Sequence, residues 1–98
     1  MYFFYTEGII EEINTYTAHN GAVNSLDLND ELCASGSGDH SVHLWHVENF
    51  EKIASYHHEQ VVECVAFTGN NILSGSWDGK LKLFDTQRQT AQTILQVF

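Results

Sequence analysis

The chain has 98 residues, enough for one small domain whose core removes apolar surface from water with only moderate efficiency. Its hydrophobic content of 43% excludes wholesale disorder. With 4 Lys and Arg against 13 Asp and Glu the net charge is −9, a surface that repels phosphate backbones and anionic lipid and argues against nucleic-acid binding.

Residues 2–5, Tyr-Phe-Phe-Tyr, read as a strand, Thr6-Glu7-Gly8 as its turn, and 9–17 as a further strand leading into His19. Val23–Leu28 follows as a half-buried strand, Asn29-Asp30-Glu31 as a turn, and Leu32–Ser37 as a second strand. Asp39-His40 closes a hairpin into 41–45, and Lys52–His57 is a fourth strand. The same series then returns as strand 61–67, turn Gly69-Asn70-Asn71, strand 72–76, a two-residue Asp78-Gly79 turn, strand 80–84 and strand 91–97. Cys33 and Cys64 fall inside these strands with no CxxC pair, so two buried, reduced thiols in a cytosolic protein are expected. No apolar run approaches the roughly 18 residues needed to cross a bilayer, so no membrane insertion is expected. The opening Met-Tyr-Phe-Phe-Tyr has no basic region and is too short for a signal peptide.

A shift of 39 brings the chain into register with itself. His19 meets His58, Val23 meets Val62, and Leu26 with Leu28 meets Val65 with Phe67. Ser35-Gly36-Ser37 meets Ser74-Gly75-Ser76, Asp39 meets Asp78, Val42 and Leu44 meet Leu81 and Leu83, and Trp45 meets Phe84. A period near 40, with four short antiparallel strands per unit and no helical periodicity, predicts an all-β fold of propeller blades. Residues 1–18 are then the third and fourth strands of a preceding blade, 19–57 one blade, and 58–98 another.

These units resemble the WD40 repeat family, whose repeat opens on Gly-His, closes on Trp-Asp and builds one four-stranded β-propeller blade. The likeness spans residues 9–96, with departures: Gly-His is Ala18-His19 and His57-His58, and Trp-Asp is Trp45-His46 and Phe84-Asp85. The incoming Tyr-Phe-Phe-Tyr strand and the short, Pro-free turns are also similar to the C-terminal propellers of BEACH-domain proteins. That likeness implies a role in membrane traffic or sphingomyelinase signalling.

His19, Ser35 and Asp39, and again His58, Ser74 and Asp78, have the residue types of a nucleophilic triad. A catalytic site is not ordinarily rebuilt in successive repeats, and neither Ser sits in a GxSxG elbow. The resemblance implies a structural network instead: the turn Asp accepts from the His ring, His engages the strand Ser, and Ser accepts from the Trp indole N–H. Phe84 has no N–H, so the second network is expected to end at Ser74. His43 and His46 are three apart on a strand and face opposite sides, so no metal site is expected among His40, His43 and His46. No cofactor is expected either.

The resemblance further implies that partners dock on the top face. There it exposes Ala22, Asn24 and Gly38 in the first blade, and Val61, Glu63 and Trp77 in the second. The expected function is a non-catalytic scaffold for a protein or peptide partner, in the cytoplasm. Closed propellers need about four to eight blades, and this chain holds about two and a half. A fragment of a longer propeller protein is therefore expected, with a ring closed by several chains and an open, self-assembling array as alternatives.

Overall fold

The computed structural model describes residues 21–97. The strands expected within 1–18, His19, and the segment 2–5 that carries the BEACH likeness lie outside the described residues. Eight strands are present: β1 (Val23–Leu28), β2 (Leu32–Ser37), β3 (Ser41–His46), β4 (Lys52–His57), β5 (Val62–Thr68), β6 (Asn71–Ser76), β7 (Lys80–Asp85) and β8 (Thr90–Gln96). They form two four-stranded antiparallel sheets, ordered β1-β2-β3-β4 and β5-β6-β7-β8, with no helix among the described residues. β1, β2 and β3 begin at Val23, Leu32 and Ser41, and their counterparts begin 39 residues later at Val62, Asn71 and Lys80. The outer strands begin only 38 apart, at Lys52 and Thr90, because the turn before β8 is one residue shorter.

The turns between second and third strands differ from the two-residue form expected. They have three residues, Gly38-Asp39-His40 and Trp77-Asp78-Gly79. His40 N donates to Ser37 O at 3.2 Å and Gly79 N to Ser76 O at 3.1 Å, after which His40 and Gly79 take φ of 77° and 79°. A β-turn followed by one left-handed residue is the usual three-residue hairpin loop. Glycine fits that last position without steric cost, and His40 occupies it in the first sheet as a non-glycine residue with positive φ. The added residue puts Gly38 and Trp77 at the head of each loop.

The first strand of each sheet carries a bulge. Val23 pairs with Ser37 but Ser25 with Gly36, and Val62 pairs with Ser76 but Cys64 with Gly75. Asn24 and Glu63 are thus the extra residues, re-aimed by the local bend.

The core lies between the sheets. Ala34, Val42, Leu44 and Tyr56 of the first pack with Val62, Val65, Ile72 and Phe84 of the second, the Tyr56 ring stacked on Phe84 at 4.8 Å. Full burial of a Val, Ile or Phe side chain contributes about 1.5–3 kcal/mol, so this contact is the main cohesive term. Polar rungs accompany it along β5, whose inner edge has no strand beside it. Ser25 Oγ accepts from Val65 N at 3.1 Å and Asp27 Oδ2 from Phe67 N at 2.7 Å, while the Asn24 amide donates to Val62 O at 3.0 Å. Side chains of β1 therefore satisfy an edge that would otherwise expose its backbone donors.

The second sheet's other face is less covered. By register it carries Cys64, Ala66, Leu73, Leu81, Leu83 and Leu95, with Leu95 54% exposed. This corrects the expectation of two buried thiols. Cys33 is buried, and burial, helped by nearby Asp27, raises its pKa to about 12, whereas Cys64 is exposed on the outward face of β5.

Gly36 is where the two sheets approach most closely through a repeat glycine. A Cβ there would lie 2.7 Å from Val62 Cγ1 and 3.0 Å from Val65 Cγ1, whereas at Gly75 it would meet only Cys64 Sγ at 3.0 Å. Gly36→Ala is expected to destabilise the fold by about 1–3 kcal/mol, and Gly75→Ala by clearly less. Urea midpoints of the two variants check this; equal losses would refute crowding between the sheets.

Candidate functional site

In the second sheet, polar side chains run from the sheet interface to the turn that carries Trp77. His58 is buried, with Nδ1 3.1 Å from Asp78 Oδ2 and Nε2 2.7 Å from Ser74 Oγ. Ser74 Oγ accepts from the Tyr56 hydroxyl at 2.7 Å. Asp78 also accepts from Glu59 N at 2.9 Å and Lys80 N at 2.8 Å. Burial of Asp78 opposes its ionisation, but the two backbone donors and His58 outweigh it and hold the carboxyl at about 2. Burial lowers the His58 pKa and outweighs the raising effect of Asp78, so the ring is neutral near pH 7. A neutral ring that donates from Nδ1 must accept at Nε2. The donors therefore run one way: Tyr56 to Ser74, Ser74 to His58, and His58 to Asp78.

Phe84 does not cut this chain short, as the sequence led one to expect. Tyr56, on the outer strand of the first sheet, supplies the donor that an indole would otherwise give, and its ring stacks on the residue that lacks one. Burial pushes its own pKa up to about 12, although the bond to Ser74 works the other way. Tyr56 was missed because it belongs to the other unit of the repeat. In the first sheet Trp45 Nε1 donates to Ser35 Oγ at 2.9 Å. Asp39 accepts from Ser41 N at 2.9 Å and from the Ser41 hydroxyl. As nucleophiles these serines are badly placed: Ser35 and Ser74 are 0% and 1% exposed.

The six rim positions lie at one end of the sheets in matching sets. Gly38 N donates to Ala22 O at 2.9 Å, and Trp77 N to Val61 O at 3.0 Å. The bulged Asn24 reaches across to Val62 O, which makes the two sets continuous. The bulged Glu63 accepts from the Trp77 indole N–H. Trp77 is 60% exposed, so it does not pack into the other described sheet. Beside it Lys80 Nζ is paired with Glu59 at 2.9 Å, a bond that raises the lysine pKa. Among the described residues no cluster of His, Cys, Asp and Glu has the arrangement to hold a metal ion. No helix there is long and apolar enough to cross a membrane.

Comparison with known proteins settles the kinship. The model of the WD domain, G-beta repeat family matches residues 10–46 and 50–85. The chain belongs to the WD40 family. It is 31% identical over 80 residues to a p21-activated protein kinase-interacting protein 1-like protein of Xenopus laevis, covering 80% of this chain and 22% of that one. It is 32% identical over 95 residues to eukaryotic translation initiation factor 3 subunit I of Lodderomyces elongisporus, covering 88% of this chain and 27% of the other. The chain thus spans about a quarter of the length of these curated relatives. Among solved structures, the computationally designed Ika4 protein superposes with a TM-score of 0.69 at 22% identity, over 80% of this chain and 48% of that one. The designed Ika8 protein gives the same score over 24% of its chain, and both likenesses concern the fold alone. Each four-stranded sheet is a WD40 blade, and the pair is an open, incomplete propeller.

The polar chain that fixes the second WD40 blade makes its stability depend on pH in a definite direction. Asp78 is lowered from 3.8 to about 2 in the fold, so its contribution is complete above pH 3.8 and is lost as pH falls toward 2. His58 is lowered from 6.5, so its contribution is complete above pH 6.5 and declines below it. Asp78→Ala is expected to cost about 1–3 kcal/mol at pH 7 and Tyr56→Phe about 1 kcal/mol. The gap between wild type and Asp78→Ala should shrink as pH falls from 3.8 to 2. Thermal melts across pH test this, and unchanged stability in Asp78→Ala at pH 7 would refute the network.

Proposed function

We propose that this WD40 chain is a non-catalytic scaffold that presents Trp77, Glu63 and Val61, continued by Ala22, Asn24 and Gly38, to a protein or peptide partner. The observation that carries the reading is Trp77 itself. A large amphipathic ring stands 60% exposed on a turn whose neighbour, Asp78, is tied into a buried network. Tryptophan is enriched among the few residues that dominate binding energy, because one ring buries much apolar area at small entropic cost. The relatives support it at the family level, one being a protein kinase-interacting protein and another a subunit of an initiation factor. Two unbridged cysteines favour an intracellular, cytoplasmic setting. In a quantitative pull-down, Trp77→Ala should recover at least tenfold less partner than wild type. Equal recovery would move the contact away from Trp77.

A second observation favours a larger assembly. The outward face of the second blade holds Leu73, Leu81 and Leu83 partly buried, with Ile94, Leu95 and Val97 exposed nearby. The equivalent face of the first blade is covered by the second blade. The reading is that this chain is a piece of a longer propeller protein whose next blade lies there. Light scattering after size-exclusion chromatography of the 98-residue chain should give a broad, self-associating population. A sharp oligomer of three or four chains would overturn this in favour of a ring closed between chains.

A further inference from the structure

We infer that Trp77 and Glu63 together form a receptor for an arginine side chain of the protein partner. This rests on the interaction-face reading above and names the chemistry of that face. The pair breaks the repeat: the matching positions in the first blade are Gly38 and Asn24, which offer neither a ring nor a charge. Every other shared feature of the two rims, the bulge and the backbone bond across it, is common to both blades. What sets the second rim apart is therefore its side-chain chemistry.

The geometry suits a planar cation. The indole N–H edge is spent on Glu63, which holds the carboxylate at the rim of the ring and leaves the exposed ring surface free for contact. An indole face attracts cations through its quadrupole. A guanidinium stacked on that face has N–H donors in its own plane that reach toward the carboxylate at the ring edge, so one group satisfies both. An ammonium is a compact point charge and does not stack in this way, so arginine is preferred to lysine.

None of the chain's own four cations fills the site. Lys80 is paired with Glu59, Lys82 donates to His57 O at 2.7 Å, and Arg88 lies 4.0 Å from Asp85. Lys52 opens β4, paired with Trp45 at the end of the sheet away from the rim. The net charge of −9 draws basic partners and turns away phosphorylated ones.

The test titrates the full chain with a tetra-arginine peptide at physiological salt, following the Trp77 indole N–H resonance, with tetralysine and tetraglutamate as comparisons. Tetra-arginine should shift that resonance and bind more tightly than tetralysine, and tetraglutamate should not bind. Glu63→Gln keeps an acceptor for the indole but removes the charge, and should weaken tetra-arginine binding at least fivefold. Trp77→Ala, followed by calorimetry, should weaken it at least tenfold. Glu48→Gln removes one exposed charge from the turn between β3 and β4 and should change binding less than twofold; thermal melts verify that each variant folds. Equal weakening by Glu48→Gln and Glu63→Gln would overturn the site in favour of diffuse attraction, and so would the absence of tetra-arginine binding. Loss of the pulled-down partner in Trp77→Ala, with Glu63→Gln indistinguishable from wild type in both assays, would leave the interaction face standing and remove arginine from it.

Discussion

A buried hydroxyl, Ser74 Oγ, is shared by two groups from different parts of the chain: Tyr56 from the outer strand of one sheet and His58 from the approach to the next. A hydroxyl buried to this degree is costly unless partnered, and a half-satisfied network is worse than an apolar core. Tyr56 also stacks on Phe84, so the same side chain joins the apolar interface to the polar one. The turn that carries Trp77 is fixed because Asp78 answers to His58, and His58 answers to Ser74. The two blades are thus coupled by specific bonds as well as by apolar contact.

The repeat is informative where it holds and more so where it fails. Where it holds, at the Ser-Gly-Ser strands, the turn Asp residues and the bulges, it builds the blade. Phe84 in place of an indole is answered by Tyr56, a substitution repaired across the blade boundary. Trp77 and Glu63 in place of Gly38 and Asn24 repair nothing, since the first rim makes the same backbone bonds without them. Residues that depart from the pattern without a structural debt to settle are the ones on which the proposed interaction face rests.

Strand positions and the 39-residue period were legible in the sequence because alternation, turn residues and self-similarity all agree. The outer strands β4 and β8 fell within a residue of their expected places. What sequence could not give were features set by three-dimensional neighbours. Tyr56 looks like an ordinary alternating strand residue until the second sheet is laid beside it. The Asp-Gly pair suggested a two-residue turn, yet the third residue is added ahead of it, at Trp77, where no local preference announces it. Cys64 matched Ser25 in the repeat, but burial depends on what covers its face. The rim positions followed from the family resemblance, whereas the contact between Glu63 and Trp77 follows from the bulge that turns Glu63 toward the loop.

The polar rungs along β5 make the array directional. Ser25 and Asp27 grip the free edge of the following strand, and in doing so they set its height along the sheet. The counterparts on β5 are Cys64 and Ala66, which offer no comparable acceptor. A sheet laid against the second blade would gain apolar contact but meet neither of these two side-chain acceptors along β5. The two described blades are thus latched by rungs that the second blade does not repeat for whatever packs on its outward face.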